Sequence, residues 1–162
     1  MIDFFDHVRQ RRSEYGHWLF DAAKVDAESM TFSEYMLMIS NASTLSKNDS
    51  LRLIFNHASH HSQALSRSDW STFIETMLSV EQIRHPKHTA LDAFDRFKST
   101  NVHGERVLYF EDFAMINQQL PFLSMPFFRL LTHIKRYHLG ENFWRLKKKE
   151  IQDALKCISE LG

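Results

Sequence analysis

Apolar residues recur along this chain at intervals of three and four, the spacing that collects side chains on one face of an α-helix. Only four glycines and three prolines occur, few for a β protein with many turns. We therefore predict an all-α fold. The apolar spacing predicts eight helices, at about residues 3–20, 31–39, 51–57, 66–80, 89–97, 110–119, 127–137 and 147–161.

Two proline-containing segments interrupt this helical pattern, at residues 84–88 and 120–126. A helix does not continue through proline, because proline has no backbone N–H to donate and its ring collides with the preceding turn. We place the boundary between two halves of the chain in the first segment, which gives predicted domains at residues 1–83 and 84–162. The polar stretch at residues 41–50 is predicted to be a linker.

A six-residue pattern occurs four times: an apolar residue, three mostly polar residues, an acid and another apolar residue. It occupies residues 30–35, 65–70, 108–113 and 146–151. Its acids are Glu34, Asp69, Asp112 and Glu150, which lie 35, 43 and 38 residues apart. Recurrence at this period indicates that one helix–loop–helix unit is used four times.

This unit resembles an EF-hand, and the chain as a whole is similar to calmodulin-like proteins and to myosin light chains, which have lost most of their calcium sites. The resemblance implies four helix–loop–helix units paired into two lobes. It also implies that short ladders join the loops in pairs, with Met30 facing Leu65 and Leu108 facing Leu146. Members of this family commonly hold a helix of a larger protein, which is the function expected here.

None of the four units carries the complete set of calcium ligands. A calcium-binding EF-hand loop needs oxygen-bearing side chains at its first, third and fifth positions, glycine at the sixth and an acid at the twelfth. Counted back from the four acids, the first positions are Ala23, Ala58, Asn101 and Leu139, and no loop carries the full set. We therefore expect no tight calcium site in the second, third or fourth loop.

The first loop leaves one calcium interpretation open. Residues 21–34 form a 14-residue loop, the length of a pseudo-EF-hand loop in which backbone carbonyls bind the ion. Glu34 would then be the only side-chain ligand of a weak calcium site, and a calcium sensor is the first alternative function. Thr31 and Glu34 also have the spacing of a helix capping box, as do Ser66 and Asp69, and a capping box needs no metal.

Composition excludes several classes of function. Twenty basic residues balance twenty acidic ones, so charge favours neither nucleic acid nor an anionic membrane as a partner. The single cysteine, Cys157, excludes an internal disulfide and a cysteine-based zinc cage. No stretch has the length of a membrane span, and the acidic first residues do not resemble a secretory signal. We therefore expect a cytoplasmic protein.

Histidines supply the second alternative function. His57, His60 and His61 form one cluster and His85 and His88 another, at spacings that could gather imidazoles around zinc. Neither pattern includes a cysteine or carboxylate partner, and no catalytic motif occurs. We interpret the protein as noncatalytic and without a cofactor, and keep a histidine-metal protein or enzyme as the alternative.

The expected partner surface lies at the second proline-containing segment. Five apolar side chains surround a predicted helix start there: Phe122, Leu123, Met125, Phe127 and Phe128. The prolines prevent one regular helix face from hiding all five. We expect them to line an apolar groove that binds an amphipathic helix of a larger protein, largely without calcium. The competing interpretation places all five in the interior of the C-terminal half.

Overall fold

The structure is a computed structural model that describes residues 14–23, 31–80, 87–97 and 99–160. These residues contain the helices α1 (Glu14–Ala23), α2 (Phe32–Thr44), α3 (Lys47–Ala58), α4 (Arg67–Val80), α5 (Lys87–Phe97), α6 (Phe110–Gln119), α7 (Met125–Tyr137) and α8 (Glu141–Glu160), with a 3-10 helix at Pro121–Leu123. Three short strands accompany them: β1 (Leu65–Ser66), β2 (Ser99–Thr100) and β3 (Arg106–Leu108). The predicted all-α fold is confirmed.

Most of the predicted linker at residues 41–50 is helical. Helix α2 continues to Thr44, and α3 begins at Lys47. The early start has a local cause, because Ser46 and Asp49 form a capping box: the Ser46 hydroxyl oxygen accepts from the Asp49 amide at 3.1 Å, and Asp49 Oδ2 accepts from the Ser46 amide at 3.4 Å. Two of the polar residues that suggested a linker, Ser46 and Asp49, therefore cap a helix.

A capping box also starts α2, as its sequence spacing predicted. Thr31 Oγ1 accepts from the Glu34 amide at 3.2 Å, while Glu34 Oε2 accepts from the Thr31 amide at 2.7 Å. These bonds satisfy backbone donors that have no partner within the helix.

Replacement of Thr31 by alanine is therefore expected to lower the free energy of unfolding by about 1 kcal/mol. The matched control is Ser33→Ala, at an exposed position in the first turn of the same helix, with an expected change within about 0.5 kcal/mol. Urea unfolding followed by circular dichroism measures both. Equal effects of the two substitutions would show that the capping box does not stabilise this helix.

The fourth predicted loop is wrong. Residues 146–151 lie within α8, an uninterrupted helix of 20 residues. The chain turns earlier, where Leu139 and Gly140 both have positive φ, 67° and 80°. Glycine adopts this left-handed conformation without a steric penalty, and a residue of this kind commonly follows a helix end. Glu150 therefore lies within a helix and not at the end of a loop, and Leu146 is also a helical residue.

The three strands form a small antiparallel sheet in the order β1–β3–β2. Leu65 pairs with Leu108, and Ser99 pairs with Val107. The predicted pairing of Leu108 with Leu146 is therefore wrong. Leu65 and Leu108 are both fully buried, so their pairing closes an apolar contact. Met30, the predicted partner of Leu65, lies outside the described residues.

The described residues group into two compact units. We call residues 14–18, 46–80, 87–97 and 99–128 the bridged unit, because it contains the Leu65–Leu108 bridge. We call residues 19–23, 31–45 and 129–160 the α8 unit. These units divide the chain differently from the predicted domains 1–83 and 84–162, because the bridge joins the second helix–loop–helix segment to the third.

Aromatic side chains fill the core of the bridged unit. The Phe113 ring lies 5.6 Å from that of Phe55, 6.0 Å from that of Phe73 and 6.3 Å from that of Trp70, measured between ring centres. The indole N–H of Trp70 donates to the carbonyl oxygen of Ala90 at 2.9 Å, so this buried polar group is satisfied. Phe113 therefore holds α3 and α4 against α6.

Candidate functional site

An open groove of about 380 Å³ lies in the bridged unit. Helix α3, helix α6 and the segment that leads into α7 line it with Lys47, Asn48, Leu51, Ala114, Asn117, Gln118, Pro121, Ser124, Met125 and Phe128. We call this feature the α3/α6 groove. It exists because α6 ends at Gln119 and the chain turns through a 3-10 helix at Pro121, which leaves space between α3 and the start of α7.

The structure divides the five predicted partner-binding residues. Leu123 and Phe127 are fully buried, and the Phe127 ring lies 5.4 Å from that of Tyr15. Phe122 is half-buried and does not line the groove. Met125, which is 50% exposed, and the half-buried Phe128 both line it.

Helix periodicity explains this division. Leu123 and Phe127 are four residues apart and lie on the buried face of the chain as it enters α7, whereas Met125 lies on the opposite face. The hydroxyl of Tyr15 donates to the carbonyl oxygen of Leu123, which fixes that segment against α1. Leu123 and Phe127 are thus core residues, whereas the competing interpretation placed all five residues in the interior of the C-terminal half. The groove residues Leu51 and Ala114 were missed because they lie on other helices.

One wall of the groove carries a buried polar pair. Asn117 and Ser124 are each more than nine-tenths buried, and the Ser124 hydroxyl donates to Asn117 Oδ1 at 2.6 Å. The Asn117 Nδ2 group has no hydrogen-bond partner among the described residues. Rotating the amide by 180° moves the unpaired position to its oxygen, so one end of this side chain lacks a partner in either orientation. A buried amide group without a partner costs about 1–3 kcal/mol.

Lys47 is the charged residue among those that line the groove. It is exposed, and its ammonium group makes no ion pair within the part of the chain that the structure describes. The groove therefore combines an apolar floor at Leu51, Met125 and Phe128 with a single cation at its rim.

Three of the four acids in the repeated pattern, Glu34, Asp69 and Asp112, accept hydrogen bonds from backbone amides at the start of a helix. Asp69 Oδ2 accepts from the amide and hydroxyl of Ser66 at 3.1 and 2.7 Å, which confirms the second predicted capping box. Asp112 Oδ2 accepts from the Tyr109 amide at 3.2 Å and from the Ser99 hydroxyl at 3.0 Å. The carboxylates at the ends of the second and third loops thus bind backbone and hydroxyl donors.

Glu34 and Glu150 have different surroundings. Glu34 Oε2 accepts from both the amide and the hydroxyl of Thr31. Of the loop predicted at residues 21–34, residues 24–30 lie outside the described residues. Glu150 pairs with Lys147 at 2.7 Å on the surface of α8. In the described ranges, no three residues of the types His, Cys, Asp and Glu are placed together so that they could hold a metal ion.

The first histidine cluster forms a turn and an aromatic stack. His57 stacks on Trp18 with ring centres 5.1 Å apart and planes 3° from parallel. His60 and His61 follow with φ of 51° and 62°, which turns the chain away from α3. His88 is exposed on α5, and His85 lies outside the described residues.

The third loop is closed by its own side chain. Asn101 occupies the first ligand position, and its Oδ1 accepts from the amides of His103 and Glu105, at 2.9 Å each. Its Nδ2 donates to Glu105 Oε2, also at 2.9 Å. Gly104 has φ of 78° and completes the turn. Asn101 thus binds loop donors where a calcium loop would present an oxygen to the ion.

The α8 unit contains a half-buried polar contact that sequence reasoning missed. The Tyr35 hydroxyl lies 2.6 Å from His138 Nε2, and His138 Nδ1 lies 3.1 Å from the carbonyl oxygen of Ile134. Because a carbonyl only accepts, the Nδ1 contact requires a proton on Nδ1, and in the neutral imidazole Nε2 then accepts from the Tyr35 hydroxyl. Burial raises the pKa of Tyr35 above its ordinary value. The indole N–H of Trp144 donates to the His138 carbonyl oxygen, which ties the start of α8 to the end of α7.

None of the described helices is both long enough and apolar enough to cross a membrane. Comparison with protein-family models, with curated proteins and with solved structures finds no match to this chain. The α3/α6 groove therefore stands as the candidate site on its geometry and chemistry alone.

Proposed function

We propose that this protein is a cytoplasmic, noncatalytic adaptor or regulatory subunit that binds an amphipathic helix of a larger protein in the α3/α6 groove, largely without calcium. The observation that carries the proposal is the open groove whose floor includes Met125, Phe128 and Leu51. A helix that presents apolar residues three or four positions apart fits such a floor, because these residues share one face. Methionine favours this role, since its flexible, polarisable side chain adapts to irregular surfaces.

The polar residues at the rim of the groove, Lys47, Asn48 and Gln118, indicate which side chains a bound helix should carry. Lys47 has no anion partner within the described part of the chain, so the bound helix is expected to carry an acid about one turn from its apolar residues. Asn48 and Gln118 supply amides that can hydrogen-bond polar side chains at the edge of that helix. The proposal thus requires an apolar stripe flanked by a carboxylate.

The arrangement of the bridged unit supports the EF-hand-like part of the proposal. Two helix–loop–helix segments, α3 to α4 and α5 to α6, are joined through the antiparallel bridge of Leu65 and Leu108. EF-hands pair through their loops in this way, and helix binding needs the helix faces and not the calcium ligands. We propose this relationship for these two segments.

The test compares two exposed methionines in the same unit. Met125 lines the groove and is 50% exposed, whereas Met115 on α6 is 44% exposed and does not line it. Tagged Met125→Asp and Met115→Asp proteins would be recovered from the native cell, after circular dichroism has shown that both are folded. We expect Met125→Asp to reduce partner recovery at least tenfold and Met115→Asp to leave it unchanged, because only the former puts a charge into the apolar floor.

Equal recovery with the two variants would contradict the proposal. The same experiment, done in excess calcium and in excess chelator, distinguishes this proposal from the alternative that the protein is a calcium sensor. The proposal expects equal recovery in both conditions, whereas recovery only with calcium, abolished by Glu34→Gln, would favour a calcium site in the loop at residues 21–34.

A further inference from the structure

The side chain of Asn117 offers an unused hydrogen-bond donor at the α3/α6 groove. The Ser124 hydroxyl lies 2.6 Å from the other end of this amide, a distance typical of an O–H···O bond and shorter than an ordinary N–H···O bond. The amide oxygen therefore faces Ser124, and the amide nitrogen Nδ2 is the end that has no partner among the described residues. Nδ2 is itself buried, so bulk solvent does not satisfy it.

Helix periodicity places Asn117 on the side of α6 that faces the groove. Residues spaced by three or four positions share one side of a helix. Four residues with this spacing, at the end of α6 and just after it, line the groove: Ala114, Asn117, Gln118 and Pro121. Phe113 and Ile116 lie on the adjacent side and are buried in the core. Asn117 thus lies where the core side and the groove side of α6 meet.

The surroundings of Asn117 favour a neutral oxygen as its partner. Lys47 is the charged residue among those that line the groove, and it is exposed at the rim, so the described lining residues place no buried charge beside the amide. An ionised carboxylate next to Asn117 would lose its hydration without a compensating charge, which is costly. The side-chain oxygen of an Asn, Gln, Ser or Thr accepts from Nδ2 without that cost.

We propose that Asn117 determines which helices the α3/α6 groove accepts and in which register they bind, because its Nδ2 donates to one neutral side-chain oxygen within the apolar stripe of the bound helix. This inference rests on the proposed helix-binding function. It adds a polar position inside the stripe, separate from the acid expected for Lys47. A single buried polar contact fixes the alignment of two helices in the same way when an Asn occupies the core of a coiled coil.

The unpaired amide gives this contact its selectivity. A buried donor without a partner destabilises the unbound chain, and an oxygen on the bound helix removes that penalty. A helix with an entirely apolar stripe leaves Nδ2 unpaired and therefore binds more weakly.

A displayed library of helical peptides tests the selectivity. The peptides have about 16 residues, roughly four helical turns, with an acid for Lys47 and stripe positions that vary among apolar residues and Asn, Gln, Ser and Thr. Selection is carried out on the unmodified chain, on Asn117→Leu and on Gln119→Leu, the matched control, which replaces an exposed amide of α6 that does not line the groove. We expect the unmodified chain and Gln119→Leu to enrich an oxygen-bearing residue at one stripe position at least fivefold over Asn117→Leu.

A fourth selection, on Met125→Asp, separates this inference from the proposed function. Peptides that bind the unmodified chain, fail on Met125→Asp and carry the same stripe when selected on Asn117→Leu would overturn the role of Asn117 and leave the helix-binding function standing. Selection of no peptide by the unmodified chain, or equal selection by Met125→Asp, would overturn both.

Fluorescence anisotropy with one selected peptide supplies a second measurement, which remains decisive if Asn117→Leu does not fold. The peptide is compared with a version in which Leu replaces its oxygen-bearing residue. On the unmodified chain we expect this replacement to raise the Kd at least fivefold, and on a folded Asn117→Leu chain less than twofold. An unchanged Kd on the unmodified chain, or an equal rise on both chains, would overturn the proposed contact.

Discussion

Phe113→Ala is expected to lower the free energy of unfolding of the bridged unit by about 3–5 kcal/mol. The Phe113 side chain is fully buried and lies against the rings of Phe55, Trp70 and Phe73. Its removal leaves a cavity that these three rings, anchored on α3 and α4, refill only in part. Edge-to-face contacts such as that between Phe113 and Trp70 are lost in addition to buried area.

Urea unfolding followed by tryptophan fluorescence measures this effect, because Trp70 lies in the affected core. Met115→Ala, two residues along α6 at an exposed position, is the matched control and should change the free energy by less than about 0.5 kcal/mol. A loss below about 1 kcal/mol for Phe113→Ala would contradict the packing of this core.

The second large effect is expected at the strand bridge. Leu65 and Leu108 are fully buried and pair directly, so each substitution by alanine should cost about 2–5 kcal/mol. Because they share one contact, the double substitution should cost less than the sum of the single ones, by about 0.5–3 kcal/mol. Leu146→Ala removes the same side chain from an exposed helical position and should cost less than about 0.5 kcal/mol.

A double-mutant cycle in urea tests this pairing. Additive losses for Leu65→Ala and Leu108→Ala would show that these two side chains do not interact. A loss at Leu146 as large as that at Leu108 would restore the pairing that the sequence pattern predicted.

Local signals explain which elements were predictable. The all-α fold follows from apolar spacing, and α6 was predicted over the residues at which it occurs, 110–119. Both ends of α6 have local causes. At its start Asp112 accepts from the Tyr109 amide, and after its end Pro121 prevents the helix from continuing. The capping boxes at Thr31 and Ser66 were likewise visible in sequence, because capping depends on residues three positions apart.

Tertiary features were not accessible to the same reasoning. Leu108 pairs with Leu65 because of the way in which whole helix pairs pack together. The six-residue pattern also occurs at Leu146, so the sequence pattern alone could not distinguish Leu65 from Leu146 as the partner. The start of α8 did leave a local signal, since Gly140 marks the left-handed turn before it. The groove joins residues 47–51 to residues 114–128, and no sequence spacing links them.

The most direct test of the proposed function is site-specific photo-cross-linking in the native cell. A photoreactive amino acid replaces Met125 in one protein and Met115 in another, so that the groove is compared with an exposed control position on the same unit. Mass spectrometry then identifies the cross-linked segment. We expect position 125 to label one amphipathic helical segment with an acid near its apolar stripe, and position 115 to label that segment at most a tenth as often. Equal labelling at the two positions, or labelling at position 115 alone, would contradict the assignment of the α3/α6 groove as the partner site.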